Sequence, residues 1–373
     1  MAKLSLIVPI YNEENTLRNI VDKILALLEE EFFKKNSLDL EVVLVDDCSK
    51  DNSFKIAKEL EKNNSKIKVF KNEKNLGKGA ALKLGFLKAT GDFIGIQDAD
   101  EEYSPKDYIE LLKPMFFNDA DVVYGSRYLP KSPKRVLNFW HTKMNNFLTW
   151  FSNLYTDLDL TDMETCYKLF KKEVIQKIAP KLKENRFGFE PEVTSYIAKE
   201  NLKIYECAIN YNPRSYEEGK KIKAKDGFRA LYCIMHYGAN KAPLPLELIL
   251  YFIIGTISAI SNIILFLILT RYFNNLLVNV SIAFVFSAVV NYFLCILILF
   301  RHKARWSTKG EIFAYILTLA VMGTLDYFVT KGFLFFGLNN FLSKSLSSLV
   351  GFFGNFLLRK FFVFKEKLNK KGI

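Results

Sequence analysis

Phe93-Ile94-Gly95-Ile96-Gln97-Asp98-Ala99-Asp100-Glu101-Glu102 is a short apolar run that ends in a set of carboxylates. An Asp-x-Asp pair is a weak signal by itself, because such pairs arise by chance and as solvated turns. At the end of an apolar strand the sheet edge holds both carboxylates toward one point, and like charges so placed repel unless a cation lies among them. Hard oxygen ligands suit Mg²⁺ or Mn²⁺, which takes its remaining ligands from water and substrate phosphates. Asp98 and Asp100 are the candidate ligands.

The pattern repeats outward from this stretch. Residues 4–10, 41–47, 67–72, 92–98 and 120–127 read as strands, and the segments between them carry helical spacing. Alternation of this kind predicts a mainly parallel sheet with helices on both faces and ligands at the carboxyl ends of its strands. At those ends lie Pro9-Ile10-Tyr11-Asn12-Glu13-Glu14, Asp46-Asp47-Cys48-Ser49-Lys50-Asp51 and Gly125-Ser126-Arg127.

The apolar residues of this 373-residue chain gather in its last third. Residues 246–269, 278–300, 312–336 and 345–364 are four runs, each about the 20 residues that cross a hydrocarbon core. The expectation is a first domain over 1–240 and a membrane domain over 241–373 with four transmembrane helices. Residues 301–309 and the tail after Leu358 are strongly basic, whereas 271–275 and 337–340 carry one cation between them. The positive-inside rule then places the catalytic domain and both termini in the cytoplasm of a multi-pass integral membrane protein. Met1 opens no signal peptide, since 4–10 is strand-like and ends in acidic residues.

The net charge of +12 collects near the apolar runs, which favours anionic lipid over nucleic acid as the partner. Cys48, Cys166, Cys207, Cys233 and Cys295 lack metal-ligand spacing and read as free thiols. Residues 134–155 form an aromatic-rich stretch with Trp140, Trp150 and flanking cations, the composition of an interfacial helix.

Val8-Pro9-Ile10-Tyr11-Asn12-Glu13-Glu14, Val45-Asp46-Asp47-Cys48-Ser49-Lys50-Asp51, Asn75-Leu76-Gly77-Lys78-Gly79 and Asp98-Ala99-Asp100, in that order, resemble the inverting family-2 glycosyltransferases of the α/β GT-A (nucleotide-diphospho-sugar transferase) fold. The chain looks closest to the polyprenyl-phosphate hexose synthases, the dolichol-phosphate mannose synthase group. The resemblance covers about residues 1–235. It implies that Pro9, Tyr11, Glu13 and Asp47 frame the donor nucleoside, that Asp98, Ala99 and Asp100 face its diphosphate and metal, and that Arg127 meets a phosphate. Glu102, where many relatives carry Gln, would be a third metal ligand. Arg214 and Lys220 match a segment that clamps the diphosphate, and Asp162 matches an Asp beside the acceptor.

What the resemblance implies chemically is single transfer of a hexose, mannose favoured over glucose, from GDP-mannose or UDP-glucose to a dolichyl or undecaprenyl phosphate, with inversion to a β-linked product. The chain has no Gln-x-x-Arg-Trp segment of processive synthases. A lipid phosphate has its second pKa near ~6 and is already largely dianionic at neutral pH, so Asp162 is expected to orient the acceptor or its cation more than to remove a proton. Residues 244–365 resemble the small four-helix GtrA-type membrane proteins, which raises the alternative that this half carries or flips the lipid-linked sugar. The sequence leaves a homo-oligomer open.

A shift of 64 residues lays 291–294 on 355–358 and Asn262 on Asp326. It predicts two parallel hairpins whose polar residues Asn262, Asn291, Asp326 and Asn355 face the bundle interior.

Overall fold

Lys3–Ile10 forms β1, whose Leu4, Leu6, Ile7 and Val8 are fully buried. Asp39–Asp46 forms β2, parallel to it in a register that sets Ile10 beside Asp46. Both faces of such a strand are covered, which is why it reads as a continuous apolar run. Ile67–Lys71 (β3) and Phe93–Ile96 (β4) extend the parallel sheet on either side. The structure is a computed structural model and describes residues 2–131, 135–214, 224–238, 243–269, 271–296, 308–338 and 340–363.

Beyond β4 the sheet changes direction. Val122–Ser126 (β5), Lys168–Lys171 (β6) and Ile204–Ala208 (β7) complete seven strands in the order β3-β2-β1-β4-β6-β5-β7, with β6 antiparallel to both β4 and β5. This is the expected mainly parallel GT-A sheet. β6 and β7 lie outside the strands anticipated from sequence: β6 is four residues long and starts and ends in lysine, so it carries no period of its own.

The helices between strands are amphipathic or buried. In α1 (Leu17–Leu25) the buried set is Leu17, Ile20, Val21 and Ile24, the spacing of one helical face. α2 is Glu31–Lys35, α3 Ser53–Asn63, α4 Lys78–Lys88 and α5 Tyr108–Phe117. α4 starts at Gly77, whose φ of +110° suits glycine, and a Cβ there would stand 2.4 Å from the Asn185 carbonyl oxygen. α6 (Phe139–Thr156), α7 (Lys172–Ile178), α8 (Phe189–Ile197) and α9 (Ala224–Gly238) follow. The expected interfacial helix over 134–155 is thus α6, starting later; residues 132–134 are outside the described set.

The chain divides into two compact units, Met1–Ala242 and Pro243–Ile373. The second holds α10 (Leu244–Leu269), α11 (Leu276–Leu294), α12 (Thr308–Phe335) and α13 (Asn340–Leu358), the last running into a π-helical turn, Arg359–Val363. α10 packs on α11 and α12 on α13. Their first residues fall 64 apart in both cases, Leu244 with Thr308 and Leu276 with Asn340. Among the described residues α10 alone has the length and apolarity of a membrane span, while Val285–Leu294 and Phe313–Met322 are shorter apolar stretches.

Candidate functional site

The carboxyl ends of β1, β2 and β4 converge on one edge, and each turns through a residue with positive φ: Asn12 (54°), Cys48 (61°) and Glu101 (60°). Non-glycine residues there are uncommon and mark constrained loops. The Asn12 amide donates to Ser49 Oγ at 3.1 Å, and Asn12 Oδ1 accepts from the Lys50 amide at 2.8 Å, which ties the first two turns together.

Four carboxylates meet cations at this edge. Lys78 Nζ lies 2.9 Å from Asp98 and 3.5 Å from Glu190. Burial works against the Lys78 charge, but Asp98 and the groups around it hold its pKa well above the usual lysine range. Arg214 reaches Asp100 at 3.0 Å and Glu13 at 3.5 Å. Its Nε is buried with no partner among the described residues. Burial, followed by the neighbouring Asp98 and Glu102, pushes the Asp100 carboxyl up to about 7.

That crowding bears on a metal. Two hard carboxylates that repel each other across a pocket edge form a donor set that a divalent cation relieves, and they leave its other positions to phosphate and water. Asp98 and Asp100 therefore fit the group. Glu102, the expected third ligand, accepts from the Tyr211 hydroxyl at 3.1 Å and from the Arg214 amide at 2.8 Å, which braces the 211–214 segment. Among the described residues no three His, Cys, Asp or Glu side chains form a metal-holding group.

Asp47, expected at the nucleoside, has its oxygens engaged by its own chain. It accepts from Asn72 Nδ2 at 2.8 Å and from the amides of Leu76 and Gly77 at 2.9 and 2.7 Å. This acid shapes the loop that presents Lys78. Pro9 lies in β1 opposite Val45, and Tyr11 and Glu13 follow at its end. Ala99 is buried between the two aspartates.

Just beyond β5 Arg127 pairs with the fully buried Asp162 through Nε at 2.7 Å, Nη2 at 2.8 Å and its own amide at 3.0 Å. The guanidinium also sits over the Tyr211 ring at 5.2 Å, which connects it to the Glu102 segment. Burial opposes its charge, yet Asp162 keeps it firmly cationic. Two residues beyond Asp162, the Glu164 carboxyl has one buried oxygen without a hydrogen-bond partner among the described residues, and burial next to Glu190 raises its pKa to about 8.

Lys78, Glu190 and Glu164 lie in segments that resemble the family's, and reading the sequence gave none of the three a role of its own. Lys78 stands inside a motif already noted, and its role becomes visible once α4 is set beside the end of β4. Lys220 lies outside the described residues.

α6 carries an exposed aromatic surface. Trp140 is 77% exposed and Trp150 56%, with Phe139, Met144 and Phe147 exposed beside them, whereas Leu148, Ser152 and Tyr155 face inward. α9 packs on α6 and exposes Phe228 and Tyr232. An apolar aromatic face of this kind marks contact with a membrane or a partner.

In the second unit Asn291 Nδ2 donates to Ser258 Oγ at 3.0 Å and Asn262 Nδ2 to Ser287 Oγ at 3.1 Å, so both asparagines face the interior of the first hairpin. The Asn355 side-chain oxygen is buried without a partner among the described residues. The Asp326 side chain lies outside the described set.

Comparison with known proteins gives two family matches: glycosyl transferase family 2 over residues 5–179, and the GtrA/DPMS transmembrane domain over 250–364. A dolichyl-phosphate beta-glucosyltransferase of Homo sapiens is 32% identical over 221 residues, 56% of this chain and 67% of that one. A dolichyl-phosphate beta-glucosyltransferase of Trichomonas vaginalis is 28% identical, covering 59% and 68%. A UDP-N-acetylglucosamine–dolichyl-phosphate N-acetylglucosaminyltransferase of Methanococcus voltae is 29% identical, covering 62% and 94%.

Proposed function

Because this chain belongs to the family-2 glycosyltransferases, in their polyprenyl-phosphate hexosyltransferase group, we propose that it moves one hexose from a nucleoside diphosphate sugar to a polyprenyl phosphate at a membrane surface. The observation that carries this reading is the acidic pair Asp98 and Asp100 with Lys78 and Arg214 held against it. That charge set suits a donor diphosphate as partner of the cations and a divalent ion as partner of the carboxylates.

Asp98 and Asp100 would hold Mg²⁺ or Mn²⁺, which supplies positive charge to the departing diphosphate. Arg214 adds a fixed cation to the same leaving group, and Lys220 would join it. Pro9, Tyr11 and Glu13 border the nucleoside. A lipid phosphate oxygen attacks the anomeric carbon opposite the diphosphate; the new C–O bond forms as the old one breaks, and the sugar inverts. Positioning and preorganised charge supply the acceleration. Asp162 holds Arg127 in place for the acceptor phosphate, and no general base is needed.

The relatives named above transfer glucose or N-acetylglucosamine, which favours a gluco-configured UDP sugar over the mannose that the family resemblance implied. The aromatic face of α6 supports a lipid acceptor, with α10–α13 spanning the bilayer and the first unit on its cytoplasmic side. Release of UDP or GDP from UDP-glucose, UDP-N-acetylglucosamine and GDP-mannose, each with polyprenyl phosphate, tests the proposal. No lipid-dependent release from any of the three would overturn it.

A further inference from the structure

Arg359 is 5% exposed inside the second unit, in the π-helical turn that closes α13. A buried guanidinium in a membrane domain is costly and ordinarily finds a carboxylate or marks a ligand path. Among the acids of the unit whose side chains are described, Glu247 pairs with Lys360 instead. The described partners of Arg359 are neutral: its Nη1 donates to Asn291 Oδ1 and lies 3.7 Å from Cys295 Sγ. The Tyr315 and Tyr251 rings flank it at 4.8 and 5.5 Å. Its Nε is buried without a partner among the described residues.

The repeat explains the position. Tyr251 and Tyr315 are 64 residues apart and so occupy equivalent places in the two hairpins, and Arg359 is the counterpart of Cys295. One cation thus sits between two matching aromatic rings, supplied by the second hairpin and oriented by Asn291 of the first. Beside it opens a cavity of about 400 Å³, lined by Ser258, Asn262, Ser287, Asn291, Tyr315 and Arg359. Its rim includes the exposed Ile263 of α10, so it is open to the side of the helix pair. Its volume is that of a small-molecule site.

From this we infer that the second unit contains an anion site in which Arg359 binds the phosphate of a polyprenyl phosphate or of its glycosylated form, with Ser258, Asn262 and Ser287 lining the place of the headgroup. The anion chemistry stands on the geometry of this unit: a guanidinium whose Nε has no partner among the described residues matches a phosphate oxygen, and hydroxyl and amide groups in the same cavity suit oxygen-rich headgroups. Its assignment to a polyprenyl lipid rests on the transferase reading.

The test uses the full chain in phosphatidylcholine nanodiscs, without donor, and a photoreactive farnesyl phosphate. Labelled peptides from 258–263 and 287–291 are expected, and labelling should fall at least tenfold in Arg359→Gln and largely return in Arg359→Lys. Labelling confined to other peptides, undiminished labelling in Arg359→Gln, or equal labelling by the matching farnesol probe overturns the proposal. Competition by millimolar inorganic phosphate as strong as that by unlabelled farnesyl phosphate overturns the lipid assignment in favour of free phosphate. Nucleotide release with a soluble short-chain acceptor is measured in parallel. Its absence from wild type counts against the transferase reading, whereas phosphate-dependent labelling at these peptides still supports the anion site.

Discussion

Arg127 and Asp162 are joined by three hydrogen bonds, two from the guanidinium at 2.7 and 2.8 Å and one from the backbone amide of Arg127 at 3.0 Å. The carboxylate is fully buried and its lone pairs point at Arg127. An acid so engaged fixes a cation and is poorly placed to collect a proton.

Asp162→Asn should lower kcat by about 10–100-fold, the scale of one charge-assisted hydrogen bond, with the donor KM little changed. Its pH profile should keep the wild-type shape. A loss that shrinks steeply as pH rises would falsify the positioning role and restore a general base.

Lys78 neutralises Asp98 and Glu190 together. Lys78→Met leaves the buried Glu190 and the partly exposed Asp98 without their shared cation and should cost about 3 kcal/mol of stability, the low end for breaking a buried pair. Adding Glu190→Gln should recover part of that loss in denaturant unfolding; a double variant no more stable than the single one argues against the shared pairing.

Asp100→Ala should abolish lipid-dependent nucleotide release while far-UV circular dichroism stays normal. A chelator should stop the wild-type enzyme, and Mg²⁺ or Mn²⁺ should restore it. Metal-dependent turnover surviving in the variant removes Asp100 from the site.

Glu164 has a pKa raised from 4.5 to about 8 by burial and by Glu190. A carboxyl with a raised folded-state pKa stabilises the fold below its unfolded value, and that contribution is lost as pH climbs toward 8. Glu164→Gln, which mimics the protonated acid, should therefore raise Tm by a few degrees at pH 8.5 and leave it nearly unchanged at pH 4. Equal shifts at both pH values would refute the titration.

Trp140 and Trp150 are exposed on α6. Replacing both with serine should cut kcat/KM for a long-chain acceptor in membranes several-fold and spare a short soluble acceptor. Equal losses on the two acceptors mean that α6 supports the fold and not the lipid.

Much of this was legible in local pattern. The apolar runs at 4–10, 41–47 and 92–98 announced buried parallel strands, the acidic and basic motifs fell at their ends, and the 64-residue repeat of the last third appeared before its helices were placed. Such features survive in one dimension because a strand, a helix face or a membrane span writes its own period. Pairings between distant groups write none. That Asp47 serves the loop ahead of Lys78, that Glu102 braces Tyr211 and Arg214, and that Lys78 meets Glu190 from a helix more than a hundred residues away follow from which strand ends the sheet order sets together. Arg359 read as part of a basic tail. The π-helical turn and the packing of two hairpins bury it against Asn291 and two tyrosines, and burial is a property of the assembled bundle that a charge count along the chain does not contain.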